Sequence, residues 1–290
     1  MTFAAFRGEM YKIVRRPAVW VSIGTLLLLA MLIGYALLWF VFTHPPAGSE
    51  QGLPPGARLS DAKVALYPAN LVRETLSMWG DLGGVFALIL GVLVQGSEFG
   101  WGTVKTLYTQ RSGRLAMLAG KMGSLAVMVL VMVLALFAVD AAGSLVVATI
   151  DGKSTTFPAI GVIARGIGAC YLIFGFWALL GVCLSTLFRQ SAMAIGLGLA
   201  YGLVVERLIF GLLAILGGTT IPSIQQWFPI TNTTYLVQSF GSNGGVRVGT
   251  TATAAVPFAD ATHATAVLIL YVAVFALVTA WLSRTRDVTA

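Results

Sequence analysis

Long apolar runs, broken by short polar or glycine-rich stretches, fill most of this chain. Six runs reach the roughly 20 residues that a helix needs to cross a bilayer. They lie near residues 18–42, 76–96, 118–148, 160–188, 192–216 and 264–283. The runs are apolar all round and do not alternate, which fits spanning helices and not barrel strands. The third run is over-long and predicts a helix that begins in the cytosol before it crosses. Only Arg189, Gln190 and Ser191 separate the fourth run from the fifth, a tight turn that makes those two helices antiparallel neighbours.

A helical period opens the chain. Phe3, Phe6, Met10, Ile13 and Val14 share one arc at 100° per residue, and Glu9, Lys12, Arg15 and Arg16 take the other side. Residues 1–17 therefore predict an amphipathic interfacial helix lying in the headgroup layer. It serves either as a plain basic anchor or also as a contact for a partner. Pro17 suits the first turn of the span that follows. No cleavable signal peptide is expected, because the apolar run after Pro17 is too long and lacks a small-residue cleavage site.

Composition agrees with a lipid solvent. Apolar residues make up 58% and charged residues 10% of the 290, against about 25% charged in a soluble domain. The net charge of +7 admits a nucleic-acid partner until the charges are placed. With the N-terminus cytosolic, the inner segments hold Arg7, Lys12, Arg15, Arg16, Lys105, Arg111, Arg114, Lys121, Arg189, Arg284 and Arg286. The longer outer segments hold only Arg58, Lys63, Arg73, Lys153 and Arg247. This bias puts both termini inside and assigns the positive charge to the membrane face, not to nucleic acid. The expected architecture is a six-span transmembrane domain over 18–290 with outer loops 43–75, 149–159 and 217–263.

Within the last loop, the stretch around Trp227, Phe228, Pro229 and Tyr235 predicts short re-entrant or interfacial helices. A flexible Gly/Thr/Ala-rich stretch follows over 241–255. Asn232-Thr233-Thr234 fits a glycosylation acceptor.

Enzymatic readings fall away. Gly152-Lys153-Ser154-Thr155 lacks the leading glycine of a phosphate-binding loop, since Val147 stands in its place. His44 and His263 are the only histidines, so no zinc site or Ser-His triad is assembled. Cys170 and Cys183 are thirteen residues apart in one helical run, or about 20 Å, and read as packing residues. No metal site and no catalytic residue is assigned.

Ionisable groups inside the spans are costly and so informative. Asp81, Asp140, Arg165, Glu206 and Arg207 all fall in the outer half. They line a polar vestibule for a departing substrate, with Asp140 and Arg165 as an ion pair, or they snorkel and pin helices. The second reading is favoured for Asp81, Asp140 and Arg165, and the two stand level for Glu206 and Arg207. Gly80/Gly84 and Gly198/Gly202 have the spacing of close helix contacts.

The segment between the second and third runs carries the most specific pattern. Glu98 ends an apolar span, Gly102-Thr103-Val104-Lys105 follows, Arg114 comes next, and Lys121 re-enters the membrane. A short cytosolic helix between two spans could move both as rigid bodies when a protein docks on it. In this topology the motif resembles the permease subunits of ABC-2-type transporters, the type V exporter architecture. The resemblance implies a coupling segment over 98–121 formed by Glu98, Gly102, Thr103, Val104, Lys105, Arg114 and Lys121. It also implies a separate ABC ATPase subunit that binds ATP and Mg, a second permease copy or paralogue, and no cofactor on this chain. The chain itself would not be an enzyme. It would be the membrane half of an exporter of hydrophobic or amphipathic compounds, such as antibiotics, peptides or lipid-like cargo, in the bacterial cytoplasmic membrane. One alternative is an ABC-driven module that passes force to an extracytoplasmic partner. Another is a proton-driven secondary transporter, for which Glu206 is the nearest approach to a midplane site.

Overall fold

The computed structural model describes residues 2–45, 59–100, 114–216, 224–241 and 260–285. Among them there are helices and no strands. The chain starts with α1 (Thr2–Val14) and α2 (Pro17–Thr43). Pro17 occupies the first turn of α2, where its missing N–H costs nothing. After two 3₁₀ turns, Leu59–Leu66 and Pro68–Asn70, come α3 (Leu71–Gly100), α4 (Arg114–Ile150) and α5 (Ile160–Phe188). Then follow α6 (Ser191–Leu213), the short α7 (Pro229–Gln238) and α8 (Ala261–Thr285).

Six helices, α2 to α6 and α8, are long and apolar enough to cross a membrane. The chain is a multi-pass membrane protein by that measure. The second of them starts earlier than the apolar pattern predicts. Its first turns hold Arg73, Glu74 and Thr75, which hide a helix from a hydropathy reading, so part of the expected 43–75 loop is helix. α4 has 37 residues, about 55 Å at 1.5 Å per residue, and it starts four residues before the apolar run. The expected flexible stretch over 241–255 lies, apart from Gly241, outside the described residues.

The centre of the bundle is the contact between α3 and α5, which run parallel. Glycine sets their closeness. A Cβ on Gly91 would overlap the Ala178 carbonyl, and one on Gly181 would overlap the Leu88 carbonyl. Gly84 receives the Trp177 indole, Gly83 receives Phe174, and Gly166 receives Val72. Backbones this close gain dispersion contacts, the main attraction available between apolar helices in lipid. α6 joins through the predicted glycine pair, with Gly198 against Leu88 and Gly202 against the far edge of Trp177. Arg189 closes α5 in the left-handed conformation (φ 54°), and its N–H donates to the Ser185 carbonyl at 2.9 Å. That tight reversal returns α6 antiparallel beside α5. Cys170 and Cys183 are free and buried.

Two helices are locally widened. α2 carries a π segment over Ala30–Leu37 and α6 one over Tyr201–Val205. Such segments are often found where a side chain is re-aimed for function. Each holds a tyrosine close to a buried carboxylate, Tyr35 near Asp140 and Tyr201 near Glu206.

Candidate functional site

Polar side chains gather at the two ends of the bundle. The proximal end carries the N-terminus and the junction between α3 and α4. Here α1 packs lengthwise on α4, because Gly120 and Gly123 leave room for it. A Cβ on Gly120 would come within 2.8 Å of the Ala5 carbonyl carbon and the Phe6 nitrogen. The buried face of α1 differs from the predicted arc. Ile13 and Glu9 are buried, Phe6 and Met10 half-buried, and Phe3 and Val14 exposed. The glycine groove on α4 decides this face, and the exposed Phe3 and Val14 of the arc are left for the headgroup layer. Lys12 sits one turn from Glu9 and neutralises it at 2.6 Å, and Arg15 stacks over Tyr11.

Two hydrogen bonds extend this junction to α3. Arg16 donates to the Leu93 carbonyl at 2.8 Å. Lys121, buried in the first turns of α4, donates to Gln95 Oε1 at 3.0 Å. A buried lysine is tolerated only with such partners. Of the other coupling residues, Gly102, Thr103, Val104 and Lys105 lie outside the described residues. Glu98 and Arg114 lie in the last turn of α3 and the first of α4.

At the distal end, the predicted polar residues separate into distinct units. Glu206 is buried in α6 and reaches the start of α7. Its carboxylate accepts from the backbone N–H of Ile230 (3.0 Å) and Thr231 (2.8 Å), from Thr231 Oγ1 (2.9 Å) and from Tyr201 Oη (3.1 Å). α7 begins with Pro229 after Phe228, whose side chain cannot cap it. Glu206 therefore supplies the missing cap from another helix and also meets the positive end of the α7 dipole. Beside it, Arg207 pairs with Asp81 of α3, and Thr233 Oγ1, which donates to the Ile230 carbonyl at 2.7 Å, lies 3.4 Å from the same carboxylate. This overall arrangement ties α7 to α3 and α6. It favours the pinning reading for Asp81, Glu206 and Arg207.

Asn232 of the acceptor-like triplet is fully buried, and its amide donates to the carbonyls of Gln226 and Phe228, both at 2.7 Å. That side chain is part of the α7 turn and is not open to a glycan.

The Asp140–Arg165 ion pair does not form. Asp140, on α4, accepts from Thr75 Oγ1 of α3 at 2.7 Å. Arg165 is exposed and donates to the Gly161 carbonyl of its own helix at 3.3 Å. The cause is helix phase. Gly166 faces α3, so the neighbouring Arg165 is turned outward, where a guanidinium costs least.

Apolar patterning gave no sign of a second distal cluster. Asp151, just past α4, accepts from Lys63 Nζ (2.7 Å), Tyr67 Oη (3.2 Å) and Trp39 Nε1 (3.3 Å). One carboxylate thereby staples the 3₁₀ turn after α2 to the ends of α2 and α4. Burial pushes the Asp151 carboxyl upward, but the Lys63, Trp39 and Tyr67 hydrogen bonds and the Lys63 charge win and hold it below the usual range. Burial, the Asp151 charge and its hydrogen bond push the Tyr67 hydroxyl up.

With this geometry in view, the comparisons with known proteins add one affiliation. The family described as “Protein of unknown function (DUF2705)” matches residues 66–289. The chain belongs to the DUF2705 family. The matched stretch covers α3 to α8 of this DUF2705 chain, including Asp81, Glu206, Arg207 and all of α7, and begins after α1 and α2. No curated protein matches the sequence.

Proposed function

We propose that this chain is the membrane-spanning permease half of an ATP-driven exporter of the ABC-2 type. In this reading it sits in the bacterial cytoplasmic membrane with both termini cytosolic and moves a hydrophobic or amphipathic compound outward. A separate ABC ATPase subunit binds ATP and Mg and supplies the power, and a second permease copy or paralogue completes the pore.

The observation that carries the proposal is the proximal junction. α1 is seated on the glycines of α4, and Arg16 and Lys121 link that pair to α3. The Glu98–Arg114 stretch connects the same two helices. A partner that pushes on α1 or on that stretch would therefore displace α3 and α4 together, the rigid-body response that coupling to an ATPase needs. α1 would act as the interfacial helix, with exposed Phe3 and Tyr11 toward headgroups or the partner, and α7 as the short outer helix.

The test is charge reversal at Glu98 or Lys105, followed by transport and ATPase assays on the reconstituted pair. The proposal expects ATP hydrolysis to continue while export is lost and the protein stays in the membrane. Normal export by both variants refutes the coupling role. Loss of function on deleting the distal 3₁₀ turns, with export chemistry absent altogether, points to a force-passing module.

A further inference from the structure

The carboxylates of Glu206, Asp81 and Asp140 have different surroundings in the bundle. Glu206 is met by four donors, and Asp81 by a guanidinium. Asp140 is only 1% exposed, yet it has one donor, the Thr75 hydroxyl on Oδ2. Its Oδ1 is buried with no hydrogen-bond partner. Such an oxygen is costly if the group is charged.

Among the described residues, no positive charge acts directly on Asp140. From α3, Glu74 acts on Asp140 with the same sign, and its own Oε2 is also buried without a partner. Arg73 acts on Glu74, and its Nε is unpartnered too. From α2, Tyr35 lies within electrostatic range, held over Gly143 of α4, where a Cβ would meet its ring. The π segment Ala30–Leu37 places that tyrosine there. From α5, the facing titratable group is Cys170.

We infer that Asp140 is a proton-binding site, its Oδ1 taking a proton from water that reaches the distal end of the bundle and returning it there. A hydronium ion and the carboxylate become a water and a neutral acid, so the step is balanced without another reactant. The neutral acid leaves Oδ2 as the carbonyl oxygen that accepts from Thr75, and Oδ1 as a hydroxyl. A metal cation fits less well. It needs several oxygen ligands at once, and among the described residues no group of three or more His, Cys, Asp or Glu side chains gathers. Packing of α3, α4 and α2 at this end is thereby linked to outer pH. The site belongs to this chain alone and does not depend on an ATPase partner.

Infrared spectroscopy of the full chain in lipid nanodiscs near neutral pH tests the site, because exposed carboxyls are then ionised. The wild type should show a protonated-carboxyl C=O band that is lost in Asp140→Asn and kept in Glu74→Gln. Thr75→Val should move the band to higher frequency, because the carbonyl loses its hydrogen bond. That variant keeps the test decisive even where Asp140→Asn does not fold. The inference is overturned by any of four results. These are a wild type without the band, a band that survives Asp140→Asn, a band unmoved by Thr75→Val, or a band that appears only when sodium is withdrawn.

Discussion

Removing the Glu206 carboxylate should detach α7 without touching the α3–α5 core. In Glu206→Ala the N–H groups of Ile230 and Thr231 lose their acceptors at a buried helix start that no local side chain caps. Each stranded donor costs about 1–3 kcal/mol, and part is recovered as the helix end shifts toward water. The net loss should be roughly 3–5 kcal/mol, close to the upper range for a helix cap plus one buried donor. At about 2–4 °C per kcal/mol for a chain of this size, the Tm in detergent should fall by roughly 6–20 °C. Glu206→Gln keeps one acceptor and should lose about half as much. Hydrogen exchange adds the local readout: protection should vanish over 229–238 and persist in α3 and α5. A Tm within about 2 °C of wild type, or uniform loss of protection across the bundle, would refute the capping account.

Three further outcomes follow from the same contacts. Gly91→Ala must displace the Ala178 carbonyl and should cost about 1–3 kcal/mol or abolish folding, whereas Gly175→Ala, with nothing within 4 Å, should be neutral. Thermal unfolding of the two side by side decides it, and equal effects would contradict glycine-set packing of α3 on α5. Gly120→Leu should drive α1 off α4 and expose it to added protease, while α3 to α8 stay folded; an α1 that remains protected would show that the groove is not its seat. The Asp151 carboxyl is held below its unfolded value, so its stabilisation is complete above that unfolded value and disappears as pH falls through the lower folded one. A labelled cysteine at Val64 should thus gain mobility only in acid, and Asp151→Asn should show that mobility at neutral pH; a pH-independent signal in both would remove the staple.

Much of the architecture was legible because lipid imposes one rule on every spanning segment. Six apolar runs became six long helices, and the Arg189–Ser191 interruption became the tight reversal of α5 into α6. The glycine pairs also announced close packing, although only the structure shows that Trp177 lies between Gly84 and Gly202. Pairings between distant residues were not legible. Asp140 and Arg165 lie at similar depth, and the choice of Thr75 as partner depends on the rotation of α5, which Gly166 sets. Glu206 reads from sequence as the nearest approach to a midplane proton site because it lies deep in the fifth apolar run. Its partners, Ile230 and Thr231, come from a helix that prolines make hard to foresee. The seat of α1 on α4 was not legible for a related reason. A hydrophobic arc describes a helix on a flat membrane, and Gly120 makes the actual surface a groove.

The central claim is that this chain is a permease driven by an ATPase that docks at its proximal end. Purifying the tagged chain from its native membranes in mild detergent, and identifying by mass spectrometry what remains bound, tests that claim most directly. The account predicts a stoichiometric soluble ATPase, released when Gly120→Leu undocks α1. Recovery of the chain alone, or with only an extracytoplasmic protein, would contradict it.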